Sequence, residues 1–162
     1  MEREVTLYAD GGCSGNGTPN SIGGWSYIIT LGNSILAKNN GSVNFTTNNR
    51  MEVASVLSGL KWIIENGYKS YPIKVVSDSQ YVINYLNFNK LEKLNSGKWL
   101  GRDGKQIPNF KFIYKLYKQL EEVKNVKAEK VKGHSGHYFN ELCDSMVQGA
   151  IKARKNWNKN GK

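Results

Sequence analysis

Hydrophobic and polar positions alternate from Val5 to Ala9, with Val5, Leu7 and Ala9 on one side and Thr6 and Tyr8 on the other. That is the period of a strand with one packed face. Asp10 ends the run on Gly11-Gly12, and the Gly-, Ser- and Asn-rich stretch that follows carries no periodicity, which predicts a wide loop. Gly24–Leu31 and Ile35–Phe45 read as two further strands, joined by Gly32-Asn33 as a tight hairpin turn, so the chain opens as an antiparallel meander. From Thr46 the spacing changes to three and four. Met51, Ala54, Leu57, Leu60 and Ile64 form a helical stripe, with Thr47 or Asn48 as N-cap and Asn66-Gly67 as the stop. Ile73–Ser77 is a short strand ended by Asp78, and the residues after it read as helix. Residues 87–109 are polar and broken by Gly97, Gly101, Gly104 and Pro108, which predicts an irregular connection. Phe110, Ile113, Leu116, Tyr117 and Leu120 predict a helix over Phe110–Val123, and Val126–Lys132 a last strand. Cys143, Val147, Ala150 and Ile151 mark the buried face of a final helix that Asn140 can cap. Residues 1–155 are expected to form a single domain and 156–162 a polar, frayed tail.

No stretch approaches the roughly 18 consecutive apolar residues of a membrane span, and the charged N-terminus does not read as a secretory signal. Cys13 and Cys143 match no zinc spacing and are read as free thiols. The expectation is a soluble cytoplasmic protein. Its formal charge of +10 is unevenly spread: residues 1–89 carry six basic and six acidic groups, and residues 90–162 carry 17 and seven. A one-sided positive field suits a polyanion such as nucleic acid, although a basic, solvated surface needs no specific partner. Lys90, Lys93, Lys98, Arg102 and Lys105 surround Trp99, a mixture that fits phosphate contacts with stacking and equally fits an exposed connection kept soluble by lysines.

Four acids stand at chemically useful places. Asp10 and Asp78 end strands, and Glu52 and Asp144 lie near helix N-termini. Four converging carboxylates would repel one another, and some would protonate unless a cation joined them. An all-oxygen set suits a hard divalent ion such as magnesium. Two such ions about 3.5–4 Å apart can serve both the attacking and the leaving oxygen of a phosphodiester. His134 and His137 share a Gly-flanked loop just ahead of the helix that carries Asp144.

The motifs YADGGCSGN, TTNNRMEV, VVSDSQYV and VKGHSGHYFNELCD, in that order, resemble those of type 1 ribonuclease H, with similarity from about Val5 to Ile151. The resemblance implies an α/β ribonuclease H-like fold, a five-stranded mixed sheet of order 3-2-1-4-5 flanked by helices. It implies an endonuclease that hydrolyses the RNA strand of RNA–DNA hybrids, largely without sequence preference, leaving 5′-phosphate and 3′-hydroxyl ends. Asp10, Glu52, Asp78 and Asp144 would hold two Mg²⁺, or Mn²⁺ in their place, with Asp10 bridging. His134 would assist proton transfer, with Glu141 on the same side. Cys13, Asn16, Asn48, Asn49 and Gln80 would read successive 2′-hydroxyls. Thr47 and Asn109 would hold a DNA phosphate, and Lys90, Lys93, Lys98 and Trp99 would grip the hybrid. Position 45, Arg in some members two residues ahead of the matching Thr, is Phe here, a departure from the phosphate pocket. Phe88 or Leu94 stands where other tryptophans occur, so the grip is expected to rely on lysines more than stacking. A monomer without obligate protein partner is expected. A hybrid-binding module without catalysis, and another nuclease or strand-transfer enzyme on the same fold, are the rival readings.

Overall fold

The computed structural model describes residues 3–123, 125–132 and 137–160. Its elements run β1 (Val5–Ser14), β2 (Ile22–Leu31), β3 (Ser34–Asn44), α1 (Asn48–Glu65), β4 (Ile73–Ser77), α2 (Gln80–Tyr85), α3 (Phe88–Ser96), α4 (Phe110–Glu122), β5 (Val126–Lys130) and α5 (Tyr138–Asn160). One sheet of order β3-β2-β1-β4-β5 collects all five strands. The meander pairs antiparallel, β4 pairs with β1 in parallel and β5 with β4 in parallel, as the crossovers through helices require.

Each face of β1 meets a different helix. Val5, Leu7 and Ala9 enter the main core with Val53, Val56, Leu60 and Ile63 of α1 and Ile113 and Leu116 of α4. The other face lies under α5, where Val147 and Ile151 pack on Ile22 in a second, smaller cluster. Here the absence of a side chain matters. A Cβ on Gly24 would come within 2.9 Å of the Val147 carbonyl oxygen, so α5 lies against bare backbone.

Several expectations change. β1 does not stop at Asp10: Gly11 to Ser14 continue the ladder against Trp25 to Ile22, so the predicted wide loop shrinks to residues 15–21. Gly tolerates this extension because α1 lies against it, and a Cβ on Gly11 would collide with the Met51 and Glu52 backbone. In α1 the buried positions are Met51, Glu52, Val53, Ser55, Val56, Gly59, Leu60 and Ile63, so Met51 and Leu60 of the predicted stripe are buried whereas Ala54, Leu57 and Ile64 are half-buried. The helix is covered on two sides. The sheet takes one face and α4 the flank, where Gln119 Nε2 donates to the Leu57 carbonyl at 2.9 Å.

Residues 87–109 are not an irregular connection throughout. Asn87 caps α3 by accepting from the Lys90 amide at 3.1 Å, and Leu91 is fully buried. Trp99, at φ 64°, then turns inward against Phe110, Tyr114 and Tyr117. At the far end, the expected frayed tail is helix as far as Asn160. Polar bonds to β3 extend it: Arg154 Nε donates to Ser42 Oγ at 3.0 Å, and Asn158 Nδ2 donates to Asn44 Oδ1 at 2.8 Å. Asn140 lies inside this helix, not at its cap.

Candidate active site

Parallel pairing of β1 and β4 puts two carboxylates side by side. The register pairs Val5 with Ile73 and ends at Tyr8 with Val76, so two further residues along each strand bring the chain to Asp10 and Asp78. The parallel strands part there, and their carboxyl ends form the crevice in which open α/β sheets place their chemistry. Ser79 turns the chain into α2, its hydroxyl accepting from the Val82 amide at 3.2 Å.

Glu52 arrives from above, on the fifth residue of α1, whose N-terminus Thr47 fixes by accepting from the Arg50 amide. Its carboxylate accepts a hydrogen bond from the Gly11 amide, possible only because glycine allows α1 to approach. Asp10, Glu52 and Asp78 each offer an oxygen within 4.8 Å of the others. Asp78 is exposed, Asp10 half-buried and Glu52 only 9% exposed. Sequence spacing places Glu52 beside the apolar stripe, but the structure buries it within.

The electrostatic consequence is direct. Burial, reinforced by the Asp78 and Asp144 charges, pushes the Asp10 carboxyl up to about 7. Burial and the charges of Asp10 and Asp78 raise Glu52 to about 9, against the pull of hydrogen bonds from Gly11 and the Ser79 hydroxyl. These are carboxyls that retain their protons until a cation compensates them. Asp144, half-buried on the second turn of α5, stands outside the close group of three, yet its charge acts on Asp10. Among the described residues the close group offers carboxylate oxygens alone, with no imidazole or thiolate, a set that fits a hard divalent cation.

The other expected contacts fall into two sets. Asn16, Asn48 and Asn49 are exposed at the N-terminus of α1, where Asn16 Oδ1 accepts from the Asn48 amide at 3.0 Å. Cys13 is half-buried beside them, its thiol donating to the Thr46 carbonyl at 3.4 Å, and burial keeps it protonated. Gln80 is exposed at the start of α2 and donates to Asn84 Oδ1 at 2.7 Å. In the chain, Gln80 stands two residues beyond Asp78, and Asn48 and Asn49 stand four and three before Glu52. The basic segment lies apart, on α3 and the turn after it. Lys90, Lys93 and Lys98 are exposed there, Lys90 lying over the Tyr85 ring at 4.6 Å. Trp99 departs from its expected role as a stacking surface: it is 5% exposed, because its ring is the core of this small subregion. His134 lies outside the described residues, and Glu141 is exposed in the first turn of α5.

One arrangement escaped the sequence reading. Asn109 holds a left-handed conformation with φ 59°, its amide oxygen accepting from Arg50 Nε and its amide nitrogen donating to the Tyr81 hydroxyl, both at 3.0 Å. It thereby ties α1, α2 and α4 together next to Thr47. No spacing rule links three residues so far apart in the chain, so sequence alone carries no signal for them.

A five-stranded mixed sheet of order β3-β2-β1-β4-β5, with two carboxylates where its parallel strands end and a third reaching them from α1, has the architecture of the ribonuclease H fold. Residues 2–152 match the ribonuclease H family, and the chain belongs to it. It is 37% identical over 152 residues to the ribonuclease H of Chlorobium chlorochromatii, covering 94% of this chain and 98% of that protein. Among solved structures, LC9 ribonuclease H1, a type 1 enzyme with the type 2 active-site motif, superposes with a TM-score of 0.79 at 24% identity, covering 94% and 74% of the two chains. LC11 ribonuclease H1, in complex with an RNA/DNA hybrid, does so with a TM-score of 0.69 at 20% identity, covering 93% and 98%.

Proposed function

We propose that this ribonuclease H cleaves the RNA strand of RNA–DNA hybrids with Asp10, Glu52 and Asp78 holding two Mg²⁺ and Asp144 completing the set from α5. The observation that carries this reading is the group of three carboxylates within 4.8 Å of one another, two of them held at raised pKa by burial and mutual repulsion. When bound, two such cations supply charge stabilisation for the attacking water and the departing 3′ oxygen. The chain's own part is positional. The Gly11 amide and Ser79 hydroxyl hold Glu52, and the β1–β4 register holds Asp10 beside Asp78.

His134 assists proton transfer in this proposal, with help from Glu141. Cys13, Asn16, Asn48, Asn49 and Gln80 read 2′-hydroxyls, and Thr47 with Asn109 receives a phosphate of the DNA strand. Lys90, Lys93 and Lys98 hold the duplex electrostatically. Residues 1–155 supply this machinery, and the protein works as a cytoplasmic monomer. No helix among the described residues is long and apolar enough to cross a membrane.

The deciding experiment is strand-specific cleavage of labelled hybrid, double-stranded RNA and double-stranded DNA, with Mg²⁺ and with Mn²⁺. The expected product is RNA-strand cleavage of the hybrid alone, with 5′-phosphate ends. Preferential cleavage of duplex DNA would overturn the reading in favour of another nuclease on this fold, and binding without cleavage in favour of an inactive module.

A further inference from the structure

Asp144 comes to the carboxylates on a helix, so whatever fixes that helix decides where it stands. α5 lies over Gly12 of β1 and Gly24 of β2: a Cβ on Gly12 would stand 3.2 Å from Val147 Cγ1, and one on Gly24 2.9 Å from the Val147 carbonyl oxygen. Packing of Val147 and Ile151 on Ile22 and this bare backbone holds the helix down. Apolar burial is not directional, however, and sets its place along the strands only loosely. Polar bonds do that. At the far end Arg154 and Asn158 bond to Ser42 and Asn44 of β3. Arg154 is about 15 Å along the helix from Asp144, too far to govern one carboxylate.

Beside Asp144 the fastening comes from Ser26. Ser26 is the ladder partner of Asp10, so the two side chains leave the sheet on the same face, about 5 Å apart at Cβ. Its hydroxyl donates to the Cys143 carbonyl at 2.8 Å, and the residue is 0% exposed. Cys143, which directly precedes Asp144, is buried as well, and its thiol donates to the Tyr8 carbonyl at 3.6 Å. Phe139, one turn earlier on α5, lies 5.0 Å from the Tyr8 ring. Cys143 is thus gripped from β2 through Ser26 and from β1 through Tyr8. Of the two bonds the hydroxyl's is the tighter constraint, being short and made by a strong donor.

α5 does not need this hydroxyl to complete its own ladder. The Cys143 carbonyl lies inside the helix, where the amide four residues on is its partner, and Ser26 occupies the second lone pair. Removing the hydroxyl therefore leaves no buried acceptor unpaired. What it removes is the bond between the residue opposite Asp10 and the residue before Asp144. Asp144 stands outside the close group of three, so its distance from Asp10 is the adjustable one.

We propose that Ser26 is a positioning residue for the second cation: through the Cys143 carbonyl it sets how far Asp144 reaches toward Asp10. This rests on the two-cation reading above, in which Asp144 completes the set.

The test compares Ser26→Ala with Arg154→Ala, which cuts a fastening of the same helix at its other end. Ser26→Ala should raise the Mg²⁺ concentration for half-maximal kcat about 10-fold, the low end of the effect of groups that orient metal ligands, with KM for hybrid at saturating Mg²⁺ unchanged. Ser26→Cys, which keeps a weaker donor, should fall between Ser26→Ala and wild type. Arg154→Ala should leave the Mg²⁺ requirement as it is. On an Asp144→Asn background, Ser26→Ala should add nothing further, because both changes act through one carboxylate. Independently of activity, the carboxyl carbon signal of Asp144 in NMR, followed as Mg²⁺ is added to the protein alone, should shift at about 10-fold higher Mg²⁺ in Ser26→Ala. A wild-type Mg²⁺ requirement in Ser26→Ala, an equal change in Arg154→Ala, or a full further loss on the Asp144→Asn background would each overturn the proposal. An Asp144 signal that ignores Mg²⁺ in the wild-type protein would strike at the parent reading instead.

Discussion

The carboxylate cluster and the Trp99 segment concentrate charge in opposite ways. Asp10, Glu52 and Asp78 are carried by three elements that the central sheet and α1 lock together, and burial with the neighbouring carboxylates pushes Asp10 and Glu52 up. Lys90, Lys93 and Lys98 stand outward on a subregion whose order comes from Trp99, Phe110, Tyr114 and Tyr117 instead. In the first region the fold forces like charges together and a ligand must relieve them. In the second, lysines spread over a small aromatic core act at long range and singly matter little. Catalytic precision and electrostatic grip thus have separate structural supports.

Substitution at the cluster should show the largest effect. Asp10→Asn is expected to reduce Mg²⁺-dependent cleavage about 10³-fold or more, equivalent to about 4 kcal/mol in the barrier. The same change removes a carboxyl that burial and its neighbours push up to about 7, so above that pH thermal unfolding of the metal-free protein should occur at higher temperature than in wild type. Loss of both activity and stability would mean that Asp10 is a structural group. In the other region, Trp99→Ala should destabilise the protein by about 3–5 kcal/mol in denaturant unfolding, because it empties a buried aromatic site. If the ring served to stack on substrate, KM would rise with stability unchanged.

Acid titration sharpens the contrast further. In the folded protein Asp10 and Glu52 hold protons up to about 7 and about 9, whereas the unfolded chain releases them near the ordinary 3.8 and 4.5. Between those limits the native state binds more protons, so its stability falls as pH rises. The metal-free protein should lose about 1–4 kcal/mol from pH ~4 to ~9, and saturating Mg²⁺ should flatten that slope. A metal-free stability that rises across this range would contradict the crowded arrangement. A smaller response is expected from the lysines. Replacing Lys90, Lys93 and Lys98 by Gln should lower the salt slope of KM by about 2–3 and leave kcat nearly unchanged. The smallest effect on cleavage is expected at Gly24→Ala, where the added Cβ would stand 2.9 Å from the Val147 backbone carbonyl oxygen, so α5 itself must shift. That should cost about 1–3 kcal/mol of stability and weaken Mg²⁺ binding slightly by moving Asp144, a change calorimetry can read.

How much of this could be read from the chain depended on which force set each feature. Period-two alternation and β-branched runs gave the strands, and the placement of Asp10 and Asp78 followed, because both depend on local pattern. The α1 face was displaced because Glu52 and Gly59 occupy core positions that a hydrophobicity count rejects, and because α4 covers the flank. α3 and the inward turn of Trp99 were hidden by glycines and lysines that look like loop. Lys98 and Trp99 adopt φ values of 60° and 64°, which no composition rule anticipates for such residues. The end of α5 was hidden for a different reason: polar side chains bonded to β3 hold it, with no apolar stripe to announce it.

The ladder between β1 and β4 also limits which changes of chain length the molecule can survive. Lengthening the turn at residues 15–21 or the stretch between α1 and β4 alters no side-chain parity at the carboxylates. Losing a single residue inside Ile73–Ser77 would do so: Val75 and Asp78 would exchange sides of the sheet with their neighbours, even if every backbone hydrogen bond re-formed. Two short parallel strands therefore act as a counting device, and lineages of this sequence can drift in loop length while β4 keeps its length.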